Sequence, residues 1–258
     1  MGPSRELQAA LDAAAAAGEI ARALYRGNLE VRLKADKSPV TEADLRCEIA
    51  IREILSTRFP GYGFYGEETG ASGTDAECVW LVDPIDGTKA FVREYPLFST
   101  QIALMRRAQI VLGVSSAPVY GELAHAERGC GAYLNGERLS VSEVDSIEAA
   151  ALSSGNLRTL ASGAAWPAYG ALVARAGRAR GYGDFLHYHL LAAGKIDVVV
   201  ESDVNILDIA AAVAIVGEAG GRFTDLDGRQ ITLSSTSVLA SNGRLHEPVL
   251  RALGRRSQ

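Results

Sequence analysis

Hydrophobic residues recur with helical spacing in two segments near the start of the chain. Residues from about 5 to 26 are rich in Ala and Leu with scattered charge, which predicts a helix that ends at Gly27. A second helix is predicted from Glu42 to Arg58, because Ile and Leu recur along this segment and Pro60 and Gly61 stop it.

From residue 79 to residue 141 the pattern changes to short apolar runs, separated by turns that contain Gly or charged residues. The runs are CVWLVD, STQIALM, QIVLGVSSAPV, ELAHAE and GAYLNG. Closely spaced strands of this kind predict an antiparallel meander. The two early helices are expected to cover one face of this sheet.

After about residue 145, predicted strands and helices alternate. The strands AALSSGN, a short run near Arg180, KIDVVVE and GGRFTDLDG alternate with the helices AYGALVARAG, FLHYHLLAAG and LDIAAAVAIVGEAGG. This order predicts an α/β half with a layered sheet. We therefore predict an N-terminal α+β half (residues 1–145) packed against a C-terminal α/β half (residues 146–258), with no low-complexity linker between them. Ligand sites favour such seams.

Composition narrows the class of protein. The 258 residues are 48% hydrophobic and 22% charged, as in ordinary soluble proteins, and the net charge of −5 argues against a nucleic-acid partner. Three widely separated cysteines indicate a reducing compartment, and they lack the spacing of a zinc site. The start of the chain does not resemble a secretory signal, and no apolar run reaches the ~18 residues of a membrane span. We expect a cytoplasmic protein without a membrane partner.

The segment WLVDPIDGTKAF contains the most informative acids. Asp83 follows an apolar run, so it is expected at the end of a buried strand, and Pro84 forces a turn or extended geometry. Asp86, Gly87 and Thr88 predict a tight turn that exposes backbone N–H groups. Two carboxylates at a strand end can bridge hard cations such as Mg²⁺. A purely conformational turn would explain the same residues equally well.

Four further acids lie in patterns that have both a structural and a functional explanation. Glu67 and Glu68 follow a short apolar stretch near a predicted strand end, although paired acids commonly form a solvated face. Asp208 opens a helix, where it would complement the helix dipole. Asp44 lies in TEAD, which fits a capping box. Each acid taken alone has a structural explanation.

Taken together, the segments SPVTEAD, GEE, WLVDPIDGTKAF and LDIAAAVAIVGEAGG resemble the inositol monophosphatase superfamily of lithium-sensitive, magnesium-dependent phosphatases. They stand in order from about residue 38 to residue 221, and the flanking elements also fit. The resemblance implies a layered sandwich of the α+β or α/β class with the order α-β-α-β-α. It also implies two or three Mg²⁺ ions in each active site, which Mn²⁺ can replace, and a homodimer.

The same resemblance implies a set of metal ligands. Glu67, Asp83 and the carbonyl oxygen of Ile85 match the ligands of one metal ion. Asp83, Asp86 and Asp208 match those of a second. Two-metal sites stabilise both the attacking and the leaving oxygen in phosphoryl transfer.

Catalytic roles follow from the resemblance in the same way. Thr88 and Asp44 match the pair that orients and deprotonates the attacking water, and Glu68 is assigned to the catalytic group with them. Asp86 and the backbone amides of Gly87 and Thr88 are expected to contact the phosphate. Backbone N–H groups in a tight turn readily bind anions.

Within the superfamily, the chain is similar to the bacterial histidinol-phosphate phosphatases, above all in the segment GDFLHYHLLAAGKIDVVVES. Asp184 stands where inositol phosphatases have a small residue, and Glu201 matches a substrate-contacting Glu. Two carboxylates suit a cationic substrate such as histidinol phosphate. Alternatively, Asp184 caps the helix that follows. His187 and His189, two residues apart, are expected to be partly buried and to point in different directions, with His187 nearer the pocket.

Three other functions stay open at this point. The partner is expected to be a small phosphorylated metabolite, and inositol 1-phosphate or a 3′-phosphoadenosine nucleotide could take the place of histidinol phosphate. Lys89 after the DGT motif also occurs among phosphatases of the nucleotide. A regulatory or binding protein that retained the fold without activity is the alternative from a different class, although all the matched acids and Thr88 are present.

Overall fold

The computed structural model describes residues 2–27, 31–33 and 39–254, so Ser38 of the SPVTEAD motif lies outside the described residues. The helices are α1 (Arg5–Leu24), α2 (Glu42–Arg58), α3 (Thr88–Val92), α4 (Leu157–Ser162), α5 (Trp166–Arg175), α6 (Asp184–Ala192), α7 (Ile206–Glu218) and α8 (His246–Ala252). A 3₁₀ turn covers Ile147–Ala149.

Strands β1 to β8 are Val31–Leu33, Pro39–Thr41, Gly63–Gly66, Gly70–Ser72, Cys78–Asp86, Ser99–Arg106, Gln109–Ala117 and Glu122–Glu127. Strands β9 to β15 are Gly131–Leu134, Glu137–Arg138, Ala151–Ser154, Arg178–Arg180, Val198–Ser202, Arg222–Thr224 and Ser237–Ser241. None of the helices in the described ranges is long and apolar enough to cross a membrane.

The larger sheet has eight strands in the order β10-β9-β8-β7-β6-β5-β3-β4. From β5 to β10 consecutive strands pair antiparallel, so the predicted meander is confirmed, whereas β3 pairs with β5 in parallel. The register of β5 against β6 is irregular between Asp83, which pairs with Gln101, and Asp86, which pairs with Ser99. Such an irregularity redirects side chains at a strand end.

The smaller sheet has five strands in the order β12-β11-β13-β15-β14. Strand β11 pairs in parallel with both β12 and β13, and β15 runs antiparallel to β13 and β14. The α6 helix lies in the connection between β12 and β13, so this half has the alternating α/β pattern that the sequence predicts.

Five layers build the molecule. Helices α1 and α2 pack on one face of the larger sheet, and α7 packs on its other face beside α6. A second core joins α6 and α7 to both sheets, and a third lies between the smaller sheet and α5 and α8. The layer order α-β-α-β-α confirms the predicted fold class.

Helix α7 approaches the larger sheet very closely. A Cβ atom added at Gly113 on β7 would lie 2.4 Å from the carbonyl oxygen of Ala211 on α7, so glycine is required for this contact. Helix α7 is apolar on nearly all sides, which is typical of a helix buried between two layers. This packing fixes the position of Asp208 in the first turn of α7.

Several predicted boundaries were wrong. Helix α1 ends at Leu24 rather than at Gly27, and the strand predicted over GGRFTDLDG is limited to Arg222–Thr224. Elements β4, α3, α4, β15 and α8 were not predicted, because runs of three to seven residues carry little periodicity. The division at residue 145 stays a prediction, and the second core contains residues from both sides of it.

Candidate active site

Three aspartates converge where β5 ends and α7 begins. Asp83, Asp86 and Asp208 each offer a carboxylate oxygen, and these oxygens lie within 4.8 Å of one another. Asp83 is only 2% exposed. The register irregularity of β5 presents the first two carboxylates, and the packing of α7 on the sheet brings the third to them.

The electrostatics of this cluster suit a cation. Burial raises the pKa of Asp83 well above its usual range, and the negative charges of Glu67, Asp86 and Asp208 raise it further. Burial, together with neighbouring acids, raises the pKa of Asp208 to about 7. Like charges held this close repel one another unless a positive charge lies between them. Oxygen ligands alone fit a hard divalent ion such as Mg²⁺, so the donor set matches the predicted metal.

Glu67 lies close enough to Asp83 for its negative charge to raise the pKa of that carboxyl. The turn that follows is held by Glu48 of α2, a fully buried carboxylate that the sequence analysis missed. Glu48 accepts the N–H groups of Glu68 at 2.8 Å and Thr69 at 2.6 Å. A signal was present, because Glu48 follows Asp44 by four residues and therefore lies on the same helix face.

Asp44 has two roles at once. It completes the predicted capping box, accepting the N–H of Thr41 at 2.8 Å and its hydroxyl at 2.6 Å. Its other oxygen lies 3.1 Å from the hydroxyl of Thr88, which is also 3.1 Å from the carbonyl oxygen of Ile85. Burial raises the pKa of Asp44, although the hydrogen bonds from Thr41 and Thr88 oppose this. The predicted pairing of Asp44 with Thr88 is therefore present.

The predicted turn at Gly87 leads directly into the short helix α3. Gly87 has a φ of 89°, and a Cβ atom there would lie 2.7 Å from the carbonyl oxygen of Leu97, so only glycine suits this position. The contact of the Gly87 and Thr88 amides with phosphate stays a prediction. So does the catalytic role of Glu68.

A small cavity of about 80 Å³ joins the metal-ligand candidates to the predicted substrate residues. It is lined by Asp86, Asn156, Asp184, Tyr188, Glu201, Val204, Asp208 and Ile209. Both carboxylates predicted to recognise the substrate thus share a cavity with two of the clustered aspartates. Asn156 and Tyr188 were missed, although Tyr188 follows Asp184 by four residues on α6.

Asp184 does not cap helix α6, so that alternative was wrong. Gly183 occupies the cap position, and no side chain caps the helix there. Asp184 itself has a φ of 46°, a left-handed conformation that costs of order 1 kcal/mol in a non-glycine residue. Burial and the charge of Glu201 raise the pKa of Asp184, while His187 and Lys89 act in the opposite direction.

Glu201 on β13 is buried and closely contacted. Tyr188 donates its phenol hydrogen to Oε2 at 2.6 Å, and Nε2 of His187 lies 3.0 Å from the same oxygen. Burial alone would raise the pKa of Glu201, but His187 and the bond from Tyr188 lower it below its usual value. The two histidines do face different partners, as predicted, since His189 contacts Glu122. Both are buried rather than partly buried.

Comparison with known proteins covers nearly the whole chain. A sequence profile of the inositol monophosphatase family matches residues 3–258. A histidinol-phosphatase from Mycobacterium tuberculosis is 40% identical over 255 residues, which is 96% of this chain and 97% of the relative. An inositol-1-monophosphatase from Mesorhizobium japonicum is 38% identical over 237 residues, which is 88% and 86% of the two chains. A crystal structure of the extragenic suppressor protein suhB from Bartonella henselae has a TM-score of 0.90 at 33% identity and covers 97% of this chain and 98% of that chain.

Proposed function

The chain belongs to the inositol monophosphatase family, and we propose that it is a Mg²⁺-dependent phosphatase that converts L-histidinol phosphate to L-histidinol and phosphate. The observation that carries this proposal is the cavity that joins two acids of the aspartate cluster to Asp184 and Glu201. Histidinol phosphate has a phosphate at one end and a cationic amine and imidazole at the other. The proposed reaction would be a step in histidine biosynthesis.

At the phosphate end, the proposed ligands of Mg²⁺ are Glu67, Asp83, Asp86, Asp208 and the carbonyl oxygen of Ile85. Two or three ions would be held in this way, and Mn²⁺ could replace them. When bound, the metal neutralises phosphate charge and lowers the pKa of bound water. The convergence of three carboxylates within 4.8 Å supports this assignment.

The proposed water-activating pair is Thr88 and Asp44. Thr88 would accept a proton from the attacking water while its own hydroxyl proton moves to Asp44, 3.1 Å away. The raised pKa of Asp44 favours its role as the proton acceptor. The Gly87 and Thr88 amides would hold the phosphate oxygens, and Glu68 is assigned to the catalytic group by the family resemblance.

At the other end, Asp184 and Glu201 would bind the amine or the imidazole. The left-handed backbone at Asp184 supports this role, because strained residues are retained where a site requires them. The inositol ring of inositol 1-phosphate carries no positive charge, so its hydroxyl groups would gain less from two carboxylates than a cationic amine would. It remains the second candidate because a relative with that activity is 38% identical.

Phosphate release from a panel of substrates tests the proposal. We expect the kcat/KM for L-histidinol phosphate to exceed the values for inositol 1-phosphate, 3′-phosphoadenosine 5′-phosphate and p-nitrophenyl phosphate. Chelation should abolish activity, and added Mg²⁺ or Mn²⁺ should restore it. Lithium should inhibit. A preference for inositol 1-phosphate would make that ester the substrate in place of histidinol phosphate. Full turnover in EDTA would overturn the metal requirement. Absence of turnover with every ester would support a binding protein instead of an enzyme.

Asp184→Asn tests recognition of the cationic end. A hydrogen bond to a charged group contributes about 1.5–3 kcal/mol, so kcat/KM for histidinol phosphate should fall about ten- to a hundredfold. The kcat/KM for p-nitrophenyl phosphate, whose leaving group carries no positive charge, should be nearly unaffected. Asp145→Asn, which removes an exposed acid, is the matched control. An equal loss on both substrates would end the proposed role of Asp184.

We also propose a homodimer in the cytoplasm. Both follow from the family and from the sequence pattern rather than from a contact in the structure. Light scattering coupled to size-exclusion chromatography measures the oligomeric state. A monomeric mass at micromolar concentration would contradict the proposed dimer.

A further inference from the structure

Glu201 is held more tightly than a simple ligand-binding carboxylate would need to be. Its Oε2 receives the phenol of Tyr188 at 2.6 Å and faces Nε2 of His187 at 3.0 Å. Its Oε1 lies over Gly155, where a Cβ atom would come within 1.9 Å. Rotation of the carboxylate would therefore break the hydrogen bond from Tyr188, and Oε1 occupies space that only a glycine at position 155 leaves open.

The two groups on Oε2 come from one face of helix α6. His187 and Tyr188 follow Asp184 by three and four residues, so all three point toward β13. His187 is fully buried behind Glu201, and its Nδ1 lies 3.4 Å from the hydroxyl of Ser153 on β11. Nε2 of His187 lies 3.0 Å from Oε2 of Glu201 but outside the angles of a regular hydrogen bond.

Oε1 of Glu201 accepts no hydrogen bond from the part of the chain that the structure describes. Because Tyr188 occupies Oε2 and Glu201 lines the cavity, Oε1 is the oxygen left to accept a donor from a ligand. A carboxylate oxygen that is held in place and accepts no hydrogen bond from its own chain is suited to accept a donor from a ligand.

We infer that His187 and Tyr188 are positioning residues that fix the Glu201 carboxylate so that Oε1 can accept a donor from the cationic end of the substrate. This inference rests on the proposed function, because it requires a substrate with such an end. Neither residue needs to touch the substrate. Their effect passes through Glu201, which predicts non-additive substitutions.

The experiment is a double-mutant cycle measured on two substrates. We would assay five variants with histidinol phosphate and with p-nitrophenyl phosphate. Three are the single variants Tyr188→Phe, His187→Gln and Glu201→Gln. The other two combine Glu201→Gln with Tyr188→Phe or with His187→Gln. Tyr188→Phe and His187→Gln should each lower kcat/KM for histidinol phosphate about tenfold, mainly through KM. The loss should be several-fold smaller for p-nitrophenyl phosphate, which has no cationic end. In the Glu201→Gln background neither substitution should change either substrate further.

Gly155→Ala provides an independent route to the same change. It displaces Glu201 without removing a polar group, so it should reproduce the selective loss on histidinol phosphate. Tyr169→Phe and His246→Gln are matched controls, because both residues are buried outside the cavity. They should affect both substrates alike or not at all.

Three results would overturn the inference. The first is a Tyr188→Phe enzyme whose kcat/KM equals that of the parent for both substrates. The second is an equal loss of kcat/KM for both substrates in that variant. The third is a Tyr188→Phe effect that persists in the Glu201→Gln background, which would mean direct contact with substrate. In these cases the proposed function stands if the parent prefers histidinol phosphate. A parent that does not hydrolyse histidinol phosphate overturns the proposed substrate and this inference together.

Discussion

Asp86 is the residue where binding chemistry and folding stability conflict most directly. Burial raises its pKa well above the usual range, and the charges of Asp184, Asp208, Glu201 and Glu67 raise it further. Its one hydrogen bond from a described side chain is a long contact of 3.3 Å from Ser99. Without a cation, its charge therefore opposes folding.

Replacing Asp86 by Asn should stabilise the metal-free protein while removing its response to metal. We expect a higher Tm in EDTA, because the variant no longer buries a carboxylate whose charge is opposed by its acidic neighbours. Thermal unfolding with and without Mg²⁺ measures both effects. The parent should gain stability from Mg²⁺ and the variant should not, whereas Asp145→Asn should behave like the parent. A variant that is less stable in EDTA and still responds to Mg²⁺ would contradict the assignment.

Thr88 offers a second test at the scale of one residue. Thr88→Ala removes the hydroxyl that lies 3.1 Å from Asp44 but none of the clustered carboxylates. Turnover should fall by about 10²–10⁴, the range for a lost proton-transfer group, while Mg²⁺ still raises Tm. Thr88→Ser should restore much of the rate. An alanine variant that turns over like the parent would rule out the proposed water-activating pair.

Helix α7 shows how the position of one element decides the site. It carries Asp208, and its distance from the sheet is set by the contact of Gly113 with Ala211. The neighbours that a methyl group would meet there are backbone atoms, so they cannot move independently of the helix. The geometry of the aspartate cluster therefore depends on a glycine that touches no ligand.

Gly113→Ala should push α7 away from the sheet, lowering stability by about 1–3 kcal/mol and weakening Mg²⁺ binding. Calorimetric titration with Mg²⁺ and urea unfolding measure the two effects. Gly170→Ala is the matched control: it lies in the exposed face of α5, where a Cβ atom meets nothing within 4 Å, so it should be neutral or slightly stabilising. Unchanged metal affinity in Gly113→Ala would show that α7 tolerates the displacement.

For the whole molecule, the smaller sheet contributes a pH-dependent part of the stability. His246 at the start of α8 is fully buried, and its ring bonds to Thr224 on β14 and Ser241 on β15. Burial and the positive charge of Arg222 lower its pKa to about 4, although Glu247 acts in the opposite direction. The folded state therefore keeps this ring neutral at pH values where the unfolded chain takes up a proton.

Because the folded-state pKa is depressed, this contribution is complete above about pH 6.5 and is lost as the pH falls toward 4. Between pH 7.5 and 5 the parent should lose about 2 kcal/mol more than His246→Gln, which cannot titrate. Urea unfolding of both proteins in EDTA isolates this difference, since the acid cluster contributes equally to each. Parallel pH profiles would show that His246 titrates normally in the folded state.

The sequence alone was sufficient wherever the determining contacts are local. Helix α2 was predicted with its observed bounds, because Thr41 and Asp44 cap its start and Pro60 follows its end. The DPIDGT motif places Asp83 and Asp86 at one strand end, since a buried strand followed by Pro and Gly leaves few conformations. Short elements such as α3 and β15 were missed because runs of five residues carry little periodicity, and β15 also depends on pairing with β13 and β14.

The family resemblance named the acids that meet, but only the tertiary structure shows what brings them together. Asp208 joins Asp83 and Asp86 because the Gly113 contact seats α7 on the sheet, a packing relation between segments far apart in the chain. Likewise, nothing near Glu201 in sequence indicates that Tyr188 donates to Oε2 or that Gly155 leaves room for Oε1. Local sequence patterns predict where helices and strands begin and end. The convergence of side chains from distant segments depends on how the layers pack, which is a property of the whole chain.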